Sequence, residues 1–374
     1  MLCPVLIIQG CSVDRILLEH GSGGKKMHKL IREYFAPEFE MKSFGDSAVI
    51  DFEQIAEDVI ARSRATRQSN TPEIASPSAR NDKKNKFRLA FTTDSYVVSP
   101  LFFPGGNIGE LAVYGTVNDL AMVGAKPIYL SAGFIFEEGF LISELKKILS
   151  SMADASKRAG IKIIAGDTKV VNKGKGDGMF INTSGIGVIK DGINISPLNI
   201  KAGDRIIVSN TIGNHGVAVM AERNGLTFKP PVLSDTAPLN HVVQDMLEHG
   251  EVHAMRDPTR GGLATTLKEM ASESGLCFEI REELIPVAEG VRGASELLGL
   301  DPLYIANEGV FVAFVKRDAA KHLLEIVKKN PVCMNAAIIG EVLESPEGKV
   351  LLKTKIGGTR IIDMLSGEQL PRIC

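Results

Sequence analysis

The spacing of apolar positions changes period many times along the chain, and each change predicts an element. Met27, Leu30, Ile31 and Tyr34 recur at helical spacing, so residues 25–35 read as a helix. Short apolar runs predict strands at 47–52, 88–93, 128–136, 162–165 and 180–189, with helices at 107–123 and 142–159 between them. A turn-rich stretch at 195–203 holds Pro197 and leads into Lys201-Ala202-Gly203-Asp204. It predicts a domain boundary. Beyond it, strands are expected at 205–209, 277–280, 310–315, 336–342 and 350–353. Helices are expected from Gly213, from the 256–262 turn to Ser272, and at 319–329. Strands and helices mixed in both halves imply an α/β fold with α+β layers.

Two stretches break the pattern. Residues 62–86 are rich in Ser, Asn, Thr, Pro and basic side chains and poor in large apolar groups, which predicts a surface insertion. Its arginines and lysines suit an acidic partner, but a solvated loop is the plainer reading. Residues 1–15 read as an N-terminal extension. Their mildly apolar run ends in Gly10-Cys11 but lacks a basic start, so a lipoprotein signal is set aside.

Composition narrows the class. The chain has 374 residues, 44% hydrophobic and 24% charged, with a formal net charge of −2. That length suits two domains, and the balance argues against a general binder of nucleic acid or anionic membrane. The five cysteines are Cys3, Cys11, Cys277, Cys333 and Cys374, an odd set with no CxxC pair. They argue against a disulfide framework and favour a reducing cytoplasm.

Several motifs carry chemistry. Four aspartates share a context of small polar or glycine neighbours: Asp46, Asp94, Asp119 and Asp167. Three of them are expected beside strand ends, where side chains from different strands can converge. Converging carboxylates repel unless a cation neutralises them, and hard oxygen ligands suit Mg2+ bound with phosphates. Each aspartate alone is also an ordinary cap or turn residue. Gly21, Gly23 and Gly24 form a glycine-rich loop ahead of a helix, which admits an anion but lacks Walker spacing. Asp257, Thr259 and Arg260 lie in a second glycine turn at 256–262, and Glu308 sits in Asn307-Glu308-Gly309. Cys374 stands last, after Pro371-Arg372-Ile373. It is either an ordinary chain end or a reactive thiol on a tether.

Together these segments resemble the superfamily of aminoimidazole ribonucleotide synthetase, thiamine-monophosphate kinase and selenophosphate synthetase, over nearly the whole chain from Ile16. Within it, Glu19–Gly24, Phe91–Val98, Pro100–Gly106, Gly166–Val171, Arg256–Gly262 and the terminal Pro371-Arg372-Ile373-Cys374 most resemble the carbamoyl dehydratases of nickel–iron hydrogenase maturation. The resemblance implies a two-domain PurM-like ATP-binding fold with a flexible C-terminal tail. Residues 16–195 would be the ATP/Mg2+ and dimerisation domain, 196–355 the C-terminal domain, and 356–374 a mobile tail carrying Cys374.

The resemblance also implies a chemistry. A HypF-type carbamoyltransferase loads Cys374, ATP activates the carbamoyl oxygen, and loss of phosphate leaves a thiocyanate. The cyano group passes to iron on a HypC–HypD scaffold. The family's Glu and Lys map to Glu308 as base and Lys169 as its partner. ATP is expected on Gly21, Gly23, Gly24, Asn118, Asp257, Thr259 and Arg260, and Mg2+ on Asp46, Asp94, Asp119 and Asp167. A homodimer is expected through the first domains. From Asp363 an extended tail spans roughly 35–40 Å, enough to cross a domain face. Selenophosphate synthetase would want a Cys close to the glycine loop, whereas Cys11 lies upstream. Thiamine-monophosphate kinase would not need a terminal Cys, and a non-catalytic scaffold would not need the four aspartates.

Overall fold

The computed structural model describes residues 15–21, 25–40, 87–364 and 373–374. The strand expected at 47–52, the 62–86 insertion and Asp46 lie outside the described residues.

The first layer is a four-stranded sheet. It contains β1 (Phe87–Tyr96), β4 (Lys126–Glu137), β5 (Lys162–Val171) and β6 (Met179–Lys190) in the order β1-β6-β4-β5. A small hairpin of β2 (Phe102–Phe103) and β3 (Gly106–Asn107) follows β1. Only the β4–β5 pair is parallel. A helical run opens with α1 (Lys25–Leu30) and continues as a π turn over Ile31–Phe35; its expected stripe buries Leu30 and adds Phe35. Two helices, α2 (Ile108–Met122) and α3 (Ile142–Ala159), complete the layer. Asn107 caps α2 by accepting the Gly109 N–H at 2.8 Å. Thirteen residues of α2 are buried, from Ile108 through Met122. A helix apolar on all sides needs cover on all sides. It has this cover because α2 packs on the first sheet and on elements of the second half.

The second half is a seven-stranded sheet. Its strands are β7 (Arg205–Val208), β8 (Val252–Arg256), β9 (Cys277–Arg281), β10 (Val312–Val315), β11 (Ala337–Leu343), β12 (Val350–Lys353) and β13 (Thr359–Ile362). Their order is β13-β12-β9-β11-β7-β10-β8. The helices are α4 (Asn214–Arg223), α5 (Asn240–His249), α6 (Gly262–Ser274), α7 (Glu289–Leu298) and α8 (Ala320–Lys329). In β7, Ile206 and Val208 face one core while Ile207 faces another. Both faces are covered, so the strand reads as an unbroken apolar run.

Three expectations change. Strand β13 falls inside the segment expected to be tail: it pairs with β12, and its Ile362 is fully buried. Helix α5 and strand β8 had not been expected, although Val242, Val243 and Met246 have helical spacing. Strand β5 runs on to Val171, so Asp167 lies within a strand rather than at its end.

One buried amide joins the halves. Asn118 on α2 donates to the carbonyls of Ala237 and Glu308, each at 3.0 Å, and accepts the Leu239 N–H at 2.8 Å. Replacing it by Leu leaves three buried backbone groups unpaired. Asn118→Leu should therefore cost about 3 kcal/mol of stability by chemical denaturation. A loss within error of zero would show that the junction is held elsewhere.

Candidate active site

The site grows from three backbone segments brought together by one side chain. Asn307 is fully buried. Its Oδ1 accepts the Gly213 N–H at 2.6 Å, and its Nδ2 donates to the carbonyls of Pro258 and Ile305, each at 3.0 Å. Its own N–H donates to the Pro258 carbonyl at 3.1 Å. The start of α4, the 256–262 turn and the turn bearing Glu308 are thereby locked together. Gly309 must be glycine, because a Cβ there would lie 1.8 Å from the Asp235 carbonyl oxygen. Gly262 has φ +63 and packs against the Leu303 and Ile305 carbonyls, so a side chain is excluded there too.

Around Glu308 lies a cluster of acids. Glu308 is 3% exposed, and its Oε1 has no hydrogen-bond partner among the described residues. Burial, and then the charges of Asp257, Asp235, Asp94 and Asp119, push its carboxyl well above the usual range. Asp119 accepts the Thr92 hydroxyl at 3.0 Å, yet burial and the Asp257 charge raise it to about 7. Burial raises Asp257 to about 6. Asp235 was not foreseen. Its Oδ1 accepts the N–H groups of Glu308 and Gly309 at 2.8 and 3.2 Å, while its Oδ2 is buried and unpaired among the described residues. Its context, Ser234-Asp235-Thr236, echoes Thr93-Asp94-Ser95 and was the available signal.

Cys374 is seated in this cluster. Its main-chain oxygen accepts the Val97 N–H at 3.2 Å, and the Ile373 side chain is buried. Arg260 pairs with Asp94 at 3.7 Å and also interacts with Cys374. Burial, with Glu308 and Asp94, lifts the thiol to about 11 against the opposing pull of Arg260. The seated sulfur is thus a protonated thiol at neutral pH rather than an activated nucleophile. Arg372 lies outside the described residues.

The other expected residues fall elsewhere. Strands β1 and β5 are opposite edges of the first sheet. Three strand spacings separate them, about 14 Å. Asp94 lies in register with Thr183, Ala132 and Gly166; Asp167 lies one residue further on, so it points to the other face. There Lys169 grips it at 2.7 Å and holds its carboxyl below the usual range. Asp167 and Lys169 are both exposed, and the short 3-10 turn Leu18–Gly21 lies against their strand. Within one chain Lys169 therefore pairs with Asp167 and not with Glu308, contrary to expectation. Asn118 is likewise spent on backbone groups, in place of the nucleotide contact expected of it. Thr259 is half-buried and its carbonyl accepts the Gly262 N–H at 3.4 Å. Gly23, Gly24 and Asp46 lie outside the described residues.

Residues 79–189 match the N-terminal domain of AIR synthase related protein, and residues 201–353 match its C-terminal domain. Carbamoyl dehydratase HypE of Bradyrhizobium diazoefficiens is 48% identical over 370 residues, covering 98% of this chain and 97% of that protein. The chain belongs to the HypE family. A crystal structure of HypE in complex with ATP superposes with a TM-score of 0.84 at 42% identity, covering 96% of this chain and 99% of that one. In a HypE–HypF complex, the matching chain is 52% identical with a TM-score of 0.72, covering 74% of this chain and 90% of its own. The fold is the two-domain PurM-like architecture. Among the described residues no helix is long and apolar enough to cross a membrane.

The acid cluster tests for a cation. Among the described residues no three His, Cys, Asp or Glu side chains already form a metal-binding group. Yet the Asp257 charge raises the proton affinity of Asp119, the Asp94 charge raises both, and such a cluster accommodates a hard divalent ion. The sign follows from the raised values. A carboxyl whose folded pKa exceeds its unfolded value stabilises most at low pH, and that contribution is lost as pH rises through the folded pKa. Asp119→Asn should therefore raise the melting temperature of the ligand-free protein at pH 8 by a few degrees, with less gain at pH 5. Mg2+ should raise it for the parent at pH 8 and much less for the variant. Equal shifts at both pH values would remove Asp119 from the strained pair.

Proposed function

We propose that this protein carries a carbamoyl group on the Cys374 sulfur and dehydrates it with ATP to a thiocyanate, supplying cyanide for nickel–iron hydrogenase maturation. The observation that carries this reading is the seating of Cys374 beside Glu308 and Arg260. Dehydration of an amide needs its oxygen converted to a leaving group, which phosphorylation supplies. Arg260 is placed to stabilise negative charge developing near the sulfur-bound group. Glu308, shielded from water, receives the proton leaving the amide nitrogen once neighbouring charge is neutralised. Asp235 holds the Glu308 backbone in place. Asp94, Asp119 and Asp257 would hold Mg2+, which when bound neutralises phosphate charge and lowers the carboxyl pKa values around it. Gly21, Gly23, Gly24 and Thr259 remain candidates for the nucleotide phosphates, as does Asp46 for metal.

A HypF-type transferase loads the thiol and a HypC–HypD scaffold receives the cyano group. Both exchanges require the tail to leave its seat. The reducing cytoplasm suits a free carrier thiol.

The decisive experiment is intact mass with carbamoyl phosphate, ATP, Mg2+ and the transferase. A carbamoyl-sized gain on Cys374, followed by loss of one water on adding ATP, is expected. Cys374→Ala should show neither change, and Glu308→Gln should stop after the gain. Water loss from Glu308→Gln at the parent rate would exclude Glu308 as the base.

Homodimerisation accounts for the first sheet. One face is covered by α2 and α3. The other exposes Phe87, Leu89, Phe91 and Ile135, with Phe91 at 70%. Such a patch marks an interface. Asp167 and Lys169 share it, so the Lys169–Glu308 pairing is best read as one made between copies. Phe91→Glu should convert a dimer to a monomer in sedimentation and lower ATP turnover at least tenfold. A monomeric parent would refute the dimer.

A further inference from the structure

We propose that His215 is the positioning residue that seats the carrier tail, through one ring proton donated to the carbonyl of Ile373. This rests on the carrier role proposed for Cys374. His215 opens α4 and is fully buried. Its Nε2 lies 2.9 Å from the Ile373 carbonyl oxygen, and its Nδ1 lies 2.8 Å from the Ser234 hydroxyl. A carbonyl only accepts, so Nε2 carries the proton. The ring is neutral, since burial pushes its pKa down to about 4, so Nδ1 accepts from Ser234.

The supporting shell fixes that arrangement. The Ser234 oxygen also accepts the Thr236 N–H at 3.1 Å and pairs with the Thr236 hydroxyl at 2.7 Å. With the Ser234 proton given to His215, the Thr236 hydroxyl donates to Ser234. The chain of donors thus runs one way: Thr236, Ser234, His215, Ile373. The Ser234 N–H donates to the Pro104 carbonyl at 2.8 Å, and the Phe103 ring meets the imidazole edge-on at a centroid distance of 5.4 Å. The ring therefore has no freedom to turn.

The rest of the seat is apolar. Ile373 is 3% exposed and belongs to the core that includes Tyr96, Val98, Val219 and Ala306. The Val97 N–H donates to the main-chain oxygen of Cys374. The seat is also tied to the reacting end, because the Gly216 N–H donates to the Ala306 carbonyl at 3.1 Å, two residues before Glu308. Recognition thus falls on the backbone and on Ile373, leaving the sulfur free to carry different groups. No part of this contact needs ATP or a loaded thiol.

The test reads the seat without turnover. Full-length protein, without nucleotide, is treated with iodoacetamide at pH 8, and labelling is followed at each cysteine by peptide mass spectrometry. His215→Leu removes the donor and should speed Cys374 labelling about five- to tenfold. Ile373→Ala should do the same. His215→Gln offers an amide N–H in the ring's place and should restore slow labelling. Cys277 and Cys333, both buried, report general loosening and should not change. In turnover, His215→Leu should lower kcat for water loss with the KM for ATP unchanged. Unchanged Cys374 labelling in His215→Leu overturns the proposal, and so does a parallel rise at Cys277 and Cys333. If the seat holds but no water is lost in the parent, the dehydratase reading fails and the seat stands.

Discussion

The site depends on a buried amide with no chemistry of its own. The Asn307 side chain satisfies three backbone groups in three segments, and its own N–H adds a bond to one of them. A turn buried at a domain junction must pair its polar groups or forfeit stability. Asn307 supplies that pairing, and Asn118 supplies it from the other domain. The position of Glu308 is therefore set by hydrogen bonds to its flanks and not by contacts of its carboxyl. That leaves Oε1 of the carboxyl unpaired among the described residues, at the cost of a raised proton affinity.

The same logic explains the aspartates. Burial raises the proton affinity of Asp119, Asp235, Asp257 and Glu308, and the charge of Asp94 raises Asp119, Asp257 and Glu308 further. Without a cation the cluster is partly protonated, and a base cannot act while it holds its proton. Cation and nucleotide binding would thus change the protonation of Glu308 as well as bring substrate. Under the proposed mechanism chemistry would then be coupled to loading by electrostatics, with no moving part required between Asp119 and Glu308.

Much of the fold was legible because its elements have clear periods: α3 spans the expected residues, and β12 does too. The site was legible only in part. Asp94, Asp119, Asp257, Arg260 and Glu308 do come together, and motif context pointed to each. The placement of Asp167 failed on parity. One residue of register decides which face a strand residue takes, and β5 continues past the glycine that looked like its end. Asn118 and His215 failed for a different reason. An amide or imidazole has no meaning until its partners are known, and theirs lie 119 and 158 residues away in sequence.

The terminal cysteine is the residue whose meaning its surroundings change most. A nucleophile would sit where its thiolate is favoured, yet the seat pushes the Cys374 thiol up to about 11. A carrier has the opposite need. On the proposed role its sulfur should be reactive when exposed to a loading enzyme and quiet when seated, where a free thiolate would compete for phosphate. Burial next to Glu308 and Asp94 provides the quiet state, and Arg260 limits the cost of later charge on the carried group. The position that suppresses the bare thiol is thus the one that suits the loaded one. On the proposed carrier role the seated thiol needs no further suppression, because only an acyl-type load would give that site anything to act on.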